Sequence, residues 1–157
     1  ASGCLRWRTL ESQTNWGVLL LFGGGLALSE VMQSSGASAF LAAQVLTLVR
    51  ESSPLLVMAL VIAFVVFLTE LVSNTASAAL VLPILLPAVT AMGMAPQAAA
   101  AAVAIAASCA FMLPVATPPN AIVYATDQVP QATMMRCGLW LNLACIAVLT
   151  ALTAVAS

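Results

Sequence analysis

The sequence predicts an all-α membrane protein built around a re-entrant helical hairpin and a broken transmembrane helix. Three observations carry that expectation. Hydrophobic residues make up 63% of the 157 positions and charged residues only 6%, against about 25% charged in soluble domains. Arg6, Arg8, Glu11, Arg50, Glu51, Asp127 and Arg136 stand at the edges of apolar runs, and only Glu30 and Glu70 fall near or within one. Two short polar stretches, Thr69 to Thr75 and Ala116 to Asn120, interrupt segments that are otherwise apolar and free of basic residues. Backbone at membrane depth leaves helical hydrogen bonding only where protein or a water-filled cavity covers it, so polar, proline-broken patches there mark a pathway or a site.

Each element follows from the apolar runs and their interruptions. Trp16 to about Met32 opens with an interfacial tryptophan and contains Gly23-Gly24-Gly25, which lets another helix approach closely; it reads as a first spanning helix. Ala37 to Val49 is too short to cross about 30 Å and mixes Ser, Gln and Thr with Phe and Leu, so it is expected to lie in the interface. Leu55 to Leu68, the first polar patch, and Ala76 to about Met92 give a helix, a polar tip and a second helix. Each arm is about 21 to 26 Å long at 1.5 Å per residue, short for a full crossing, which favours a re-entrant hairpin with Ser73-Asn74-Thr75 at its tip.

After Gly93-Met94-Ala95-Pro96 an alanine-rich helix is predicted to about Leu113, broken by Pro114 and Pro118-Pro119 and resumed over Ala121 to Thr126. Cys137 to about Val155 is the last span. Residues 1–36 thus form an N-terminal cytoplasmic segment and first span, and 37–53 an interfacial arm. Residues 54–157 combine the hairpin (54–92), the broken helix (97–126) and the last span (136–157). Arg6, Arg8 and Arg136 place both preceding ends on the cytoplasmic side of a multi-pass inner-membrane protein.

The composition also excludes. There is no basic or acidic field for nucleic acid. The four cysteines, Cys4, Cys109, Cys137 and Cys145, form no C-x-x-C pair and read as packing residues. Histidine is absent, which removes the commonest general base and transition-metal ligand; no resident cofactor is expected. The chain opens Ala-Ser-Gly-Cys, its first apolar run is too long for a secretory h-region, and roughly four or five spans are few to surround a polar cavity; it reads as a piece of a longer protein.

At the first patch, Ser73, Asn74 and Thr75 offer groups that donate and accept, while a helix ended there frees carbonyls on one arm and amides on the other. Na⁺ suits the carbonyl and hydroxyl oxygens, Ser73 included; carboxylate oxygens suit the amides and the positive end of the following half-helix. The plainer reading is a turn in which Ser73 or Asn74 caps the helix from Ala76 onward. The second patch repeats the pattern, with Asn120 at the start of a half-helix. Glu70 is read as a structural anchor paired with a backbone donor, ahead of an ion ligand or proton carrier. No basic side chain lies near either patch, so a bound dianion has to be neutralised by a co-bound cation and by half-helix amides.

Phe67-Leu68-Thr69-Glu70-Leu71-Val72-Ser73-Asn74-Thr75-Ala76 and Phe111-Met112-Leu113-Pro114-Val115-Ala116-Thr117-Pro118-Pro119-Asn120-Ala121 resemble the divalent anion:sodium symporter family of di- and tricarboxylate transporters. Trp16 to Gly25 resembles that family's scaffold helix. The resemblance implies half of an inverted-repeat ion-transporter fold, the C-terminal repeat, with the other half of the site in an N-terminal repeat outside this chain. It implies Na⁺ coordination by Thr69, the Val72 carbonyl, Asn74 and the Ala116 carbonyl, and carboxylate binding by Asn74, Thr75, Thr117 and Pro118. A smaller residue than Val72 is the family expectation at that position. The implied activity is Na⁺-coupled transport of succinate, malate or fumarate by an elevator motion hinged on residues 37–49, in a homodimer. An anion exchanger or sulfate carrier, a structural membrane subunit, and an intramembrane enzyme using Ser73 or Ser108 remain the alternatives; the last lacks any histidine or lysine as base.

Overall fold

Proline in first helical turns, hydroxyl caps and one glycine beyond a last turn set most of the helix boundaries. The structure, a computed structural model, describes residues 7, 11–12, 14, 16–37, 40, 44, 47 and 53–156. Among them the main elements are six helices, with no strand: α1 (Trp16–Ser34), α2 (Pro54–Leu68), α3 (Asn74–Ala91), α4 (Pro96–Ala106), α5 (Pro118–Tyr124) and α6 (Gln131–Ala156). The expected interfacial arm lies outside the described residues except at 37, 40, 44 and 47, which are helical, and at 53, which is not.

The core is formed mainly by α2, α3 and α4. Val57, Met58, Val61, Ile62, Val65 and Val66 of α2 meet Val81, Leu85 and Val89 of α3 and Ala99, Ala102, Val103 and Ala106 of α4. Alanine on the buried face of α4 lets the neighbouring backbones come close, which is how apolar helices gain packing energy without a hydrophobic driving force. α2 packs most extensively on α6, α3 on α4, and α1 on α5.

α3 bends by 42° between Asn74–Pro83 and Leu85–Ala91. Pro87 explains the position of the bend, because it has no N–H for the Pro83 carbonyl and its ring crowds that oxygen. The helix ends in a Schellman cap: Gly93 N–H donates to Thr90 O at 3.1 Å and Met94 N–H to Val89 O at 3.0 Å, with Gly93 at φ +76. A Cβ at Gly93 meets no neighbour, so Gly93→Ala carries only the left-handed backbone penalty. It is expected to lower stability by about 1 kcal/mol, read as a lower thermal midpoint; an unchanged midpoint would remove the cap argument.

α6 is the one continuous helix among the described residues that is long and apolar enough to cross a bilayer, over Gln131–Val155. Only 22% of its apolar window is buried within the fold, and Trp140, Leu141, Leu152 and Val155 are exposed. A soluble protein's core helix would be mostly covered. The opposite stripe, Asn142, Leu149 and Thr153, is buried.

Three sequence expectations are corrected. The alanine-rich helix stops at Ala106, seven residues before the expected Leu113, because the amides of Phe111, Met112 and Leu113 are taken by the Glu70 carboxylate instead of by carbonyls one turn back. The last helix starts at Gln131, so Arg136 lies within it rather than before it. The resumed half-helix runs Pro118–Tyr124 against the expected Ala121 to Thr126, since its two prolines fit a first turn where no N–H is needed.

Candidate functional site

The two polar patches meet. A cavity of about 160 Å³ is lined by Glu70, Leu71, Val72, Ser73 and Asn74 from the hairpin tip, by Val115, Ala116, Thr117 and Pro118 from the broken helix, and by Leu26 of α1. Thr69 lies fully buried nearby, and Thr75, on the first turn of α3, is exposed but does not line the cavity.

The same local device operates in both patches. Ser73 is the N-cap of α3, and its Oγ accepts from Ala76 N–H at 3.3 Å. Thr117 is the N-cap of α5, and its Oγ1 accepts from Asn120 N–H at 3.4 Å. Each captured amide belongs to the residue that could otherwise pair, four residues back, with the carbonyl preceding the cap. The carbonyls of Val72 and Ala116 therefore accept no hydrogen bond among the described residues. Capping and ion binding were competing readings of the Ser-Asn-Thr tip; the geometry makes the cap the reason a free oxygen is left over.

Thr69 ties the tip to the end of α4. Its hydroxyl lies 2.7 Å from the carbonyl of Ala107, the C-cap of α4, and 2.8 Å from Asn74 Oδ1. A hydroxyl has one proton and the two neighbours are acceptors, so it donates to one of them at a time. Thr69 and Asn74 thus bring two adjacent side-chain oxygens beside the cavity.

Glu70 is the anchor the sequence suggested. It is 4% exposed. Oε1 accepts from the N–H groups of Phe111 and Met112, both at 2.9 Å, and from Asn142 Nδ2 at 3.0 Å; Oε2 accepts from Leu113 N–H at 2.9 Å. Three consecutive amides form an anion-binding concavity, filled here by the protein's own carboxylate. Asn120 holds the same loop from its carbonyl side, Nδ2 donating to Ala110 O at 2.9 Å and Leu113 O at 3.1 Å. The loop that replaces the missing helical turns is thereby satisfied by two side chains from elsewhere in the chain.

Glycine permits this. A Cβ on Gly138 of α6 would press on the Phe111 carbonyl oxygen and lie 2.6 Å from the carbonyl carbon and 2.7 Å from Met112 Cα. Asn142, one turn further along α6, then reaches Glu70. Sequence reasoning passed over Asn142, although an amide in the middle of an apolar span is itself a signal. It also missed the Ala107 carbonyl and Leu26, for which no local signal exists.

The site holds no nucleophile-base pair. The Ser73 hydroxyl is engaged as a cap, that of Ser108 donates to Ala104 O at 3.3 Å, and no cluster of three His, Cys, Asp or Glu occurs among the described residues.

A family model described as the sodium:sulfate symporter transmembrane region matches residues 1–156. The chain is 49% identical over 149 residues to an "Uncharacterized transporter" of Haemophilus influenzae, covering 95% of this chain and 32% of that protein. It is 46% identical over 134 residues to the sodium-dependent dicarboxylate transporter SdcS of Staphylococcus saprophyticus, covering 85% and 26%. The SdcS of Staphylococcus aureus strain USA300 is 44% identical over 128 residues, covering 82% and 24%. The chain spans about a quarter to a third of the length of these curated relatives.

Proposed function

The chain belongs to the sodium:sulfate symporter family of membrane proteins, and on that premise we propose that it supplies one Na⁺ site and part of an anion site to a secondary transporter of small dicarboxylates. One observation carries the reading: two cap-freed carbonyls, at Val72 and Ala116, border a single cavity together with Ser73 and Asn74. Hard, neutral oxygens in such a set suit Na⁺. In this reading the cation is held by Thr69, the Val72 carbonyl, Ser73, Asn74 and the Ala116 carbonyl. The carboxylate is met by Asn74, Thr75, Thr117 and Pro118, at the first turns of α3 and α5, where helix dipoles favour negative charge.

The charge inventory supports coupling. No arginine or lysine lines the cavity and one carboxylate, Glu70, does, so a dianion entering alone would stay uncompensated in a site of low dielectric. A co-bound cation removes that cost. Likeness to the staphylococcal sodium-dependent dicarboxylate transporters favours a dicarboxylate as the anion; the sodium:sulfate symporter family favours sulfate as the second reading. In our reading α2 and α3 form a re-entrant hairpin, the other half of the site comes from an inverted N-terminal repeat, and the assembly is a homodimer of the inner membrane. The hairpin, α5 and α6 move together past α1 as an elevator.

The test is uptake of labelled succinate into proteoliposomes by the complete transporter carrying this chain, with sodium or choline outside and unlabelled sulfate as competitor. Uptake is expected to need Na⁺ and to resist sulfate. Asn74→Ala and Thr75→Ala are each expected to reduce it about tenfold or more, the worth of a lost hydrogen bond or ligand to a charged group. Uptake indifferent to Na⁺, or untouched by both substitutions, removes the proposal; displacement of succinate by sulfate at equal concentration transfers it to the second reading.

A further inference from the structure

We infer that Asn142, in the middle of α6, is a positioning residue for the cation site: through Glu70 it fixes the turn that presents the Ala116 carbonyl. The inference deepens the proposed function and rests on that reading.

The connection is a continuous series of hydrogen bonds. Asn142 Nδ2 donates to Glu70 Oε1 at 3.0 Å. Glu70 Oε2 accepts from Leu113 N–H at 2.9 Å. The Leu113 carbonyl accepts from Ala116 N–H at 3.2 Å, closing the turn whose last residue carries the free oxygen. A carboxylate that receives only main-chain amides can rock about its side-chain torsions as the loop moves. A fourth donor on a rigid spanning helix removes that freedom, and both Asn142 and Glu70 are almost wholly excluded from solvent.

The other half of the Asn142 amide separates positioning from packing. Its Oδ1 is buried and has no hydrogen-bond partner among the described residues. A buried acceptor left unpaired is costly, so the favourable bond from Nδ2 is offset within the same side chain. Leucine, of similar volume, would remove both the bond and the orphaned oxygen at once. A residue held for stability alone would be better replaced by that apolar side chain; the amide is explained by what its donor does to Glu70.

The experiment uses the complete transporter in proteoliposomes and reads three quantities for wild type and Asn142→Leu: the half-saturating Na⁺ concentration, the KM for succinate at saturating Na⁺, and the thermal midpoint of the purified protein. The half-saturating Na⁺ concentration is expected to rise about tenfold or more, as when a residue that orients an ion ligand is removed. KM at saturating Na⁺ should stay within about twofold, because a site refilled by excess cation regains its geometry. The midpoint should stay within about 4 °C of wild type. Asn142→Ser shortens the donor without adding bulk; it is expected to raise the Na⁺ requirement too, and serves if the leucine variant does not accumulate. An unchanged Na⁺ requirement in a Na⁺-dependent wild type overturns the inference alone, as does a lowered midpoint with unchanged Na⁺ affinity, which would make Asn142 a packing residue. A wild type indifferent to Na⁺ overturns the underlying reading and this inference with it.

Discussion

Glu70→Leu is expected to destabilise the protein by on the order of 4 kcal/mol and to abolish measurable uptake. The leucine fills the volume but accepts nothing, so the amides of Phe111, Met112 and Leu113 and the Asn142 Nδ2 lose their common partner. Each buried donor left unpaired costs about 1–3 kcal/mol. The three backbone donors lie in half-buried residues, where water relieves part of the penalty, so the total falls toward the lower end of the sum. Against a total stability of about 5–15 kcal/mol, such a loss leaves little margin. Glu70→Gln keeps one oxygen and turns an NH₂ group toward a donor, and about half the effect is expected. Thermal unfolding of the purified transporter in detergent checks both; a leucine variant that melts with wild type would show the loop does not depend on the carboxylate.

Gly138→Ala should also be destabilising, though less so than Glu70→Leu, even though it adds one carbon on a helix where alanine is intrinsically favoured over glycine by about 1 kcal/mol. That gain is outweighed because the new Cβ runs into the Phe111 backbone, which Glu70 pins in place and which cannot yield as a flexible side-chain tip would. Overpacking of this kind costs about 1–3 kcal/mol. Gly138 and Asn142 stand four apart on one helical face, so the same displacement of α6 stretches the bond from Asn142 to Glu70. The expected signature is a lowered midpoint together with a raised Na⁺ requirement, both larger for Gly138→Val than for alanine. An alanine variant with wild-type melting and wild-type Na⁺ dependence would mean that α6 has room to shift.

The helices were legible wherever an apolar run met local punctuation. Pro54 starts α2, Ser73 caps α3 and Gly93 ends it, each by chemistry contained within a few residues, whereas the paired prolines, expected only to break a helix, open α5. The segment 107–113 was not legible. Phe111-Met112-Leu113 carries no breaker and continues an alanine-rich helix, and what draws it out is a carboxylate some forty positions earlier. A residue's preference for helix is local, whereas the acceptor that outbids the helix is tertiary. The two polar patches were legible as a pair because polar, proline-broken backbone is rare in lipid-facing sequence. That their preceding carbonyls both become free depends on which amide each hydroxyl captures, and this appears only once Ser73 and Thr117 have taken Ala76 and Asn120.

The oxygens left over at Val72 and Ala116 belong to peptide units, and every amino acid carries one. Genetic drift at those two positions therefore acts on bulk and shape, while the chemical contact passes unchanged from one codon to the next. The constraint falls instead on the neighbouring hydroxyls. Losing either would let the following helix reclaim the oxygen for itself, so the serine and threonine, which need touch no solute for this effect, constrain those two oxygens more than the side chains of Val72 and Ala116 do.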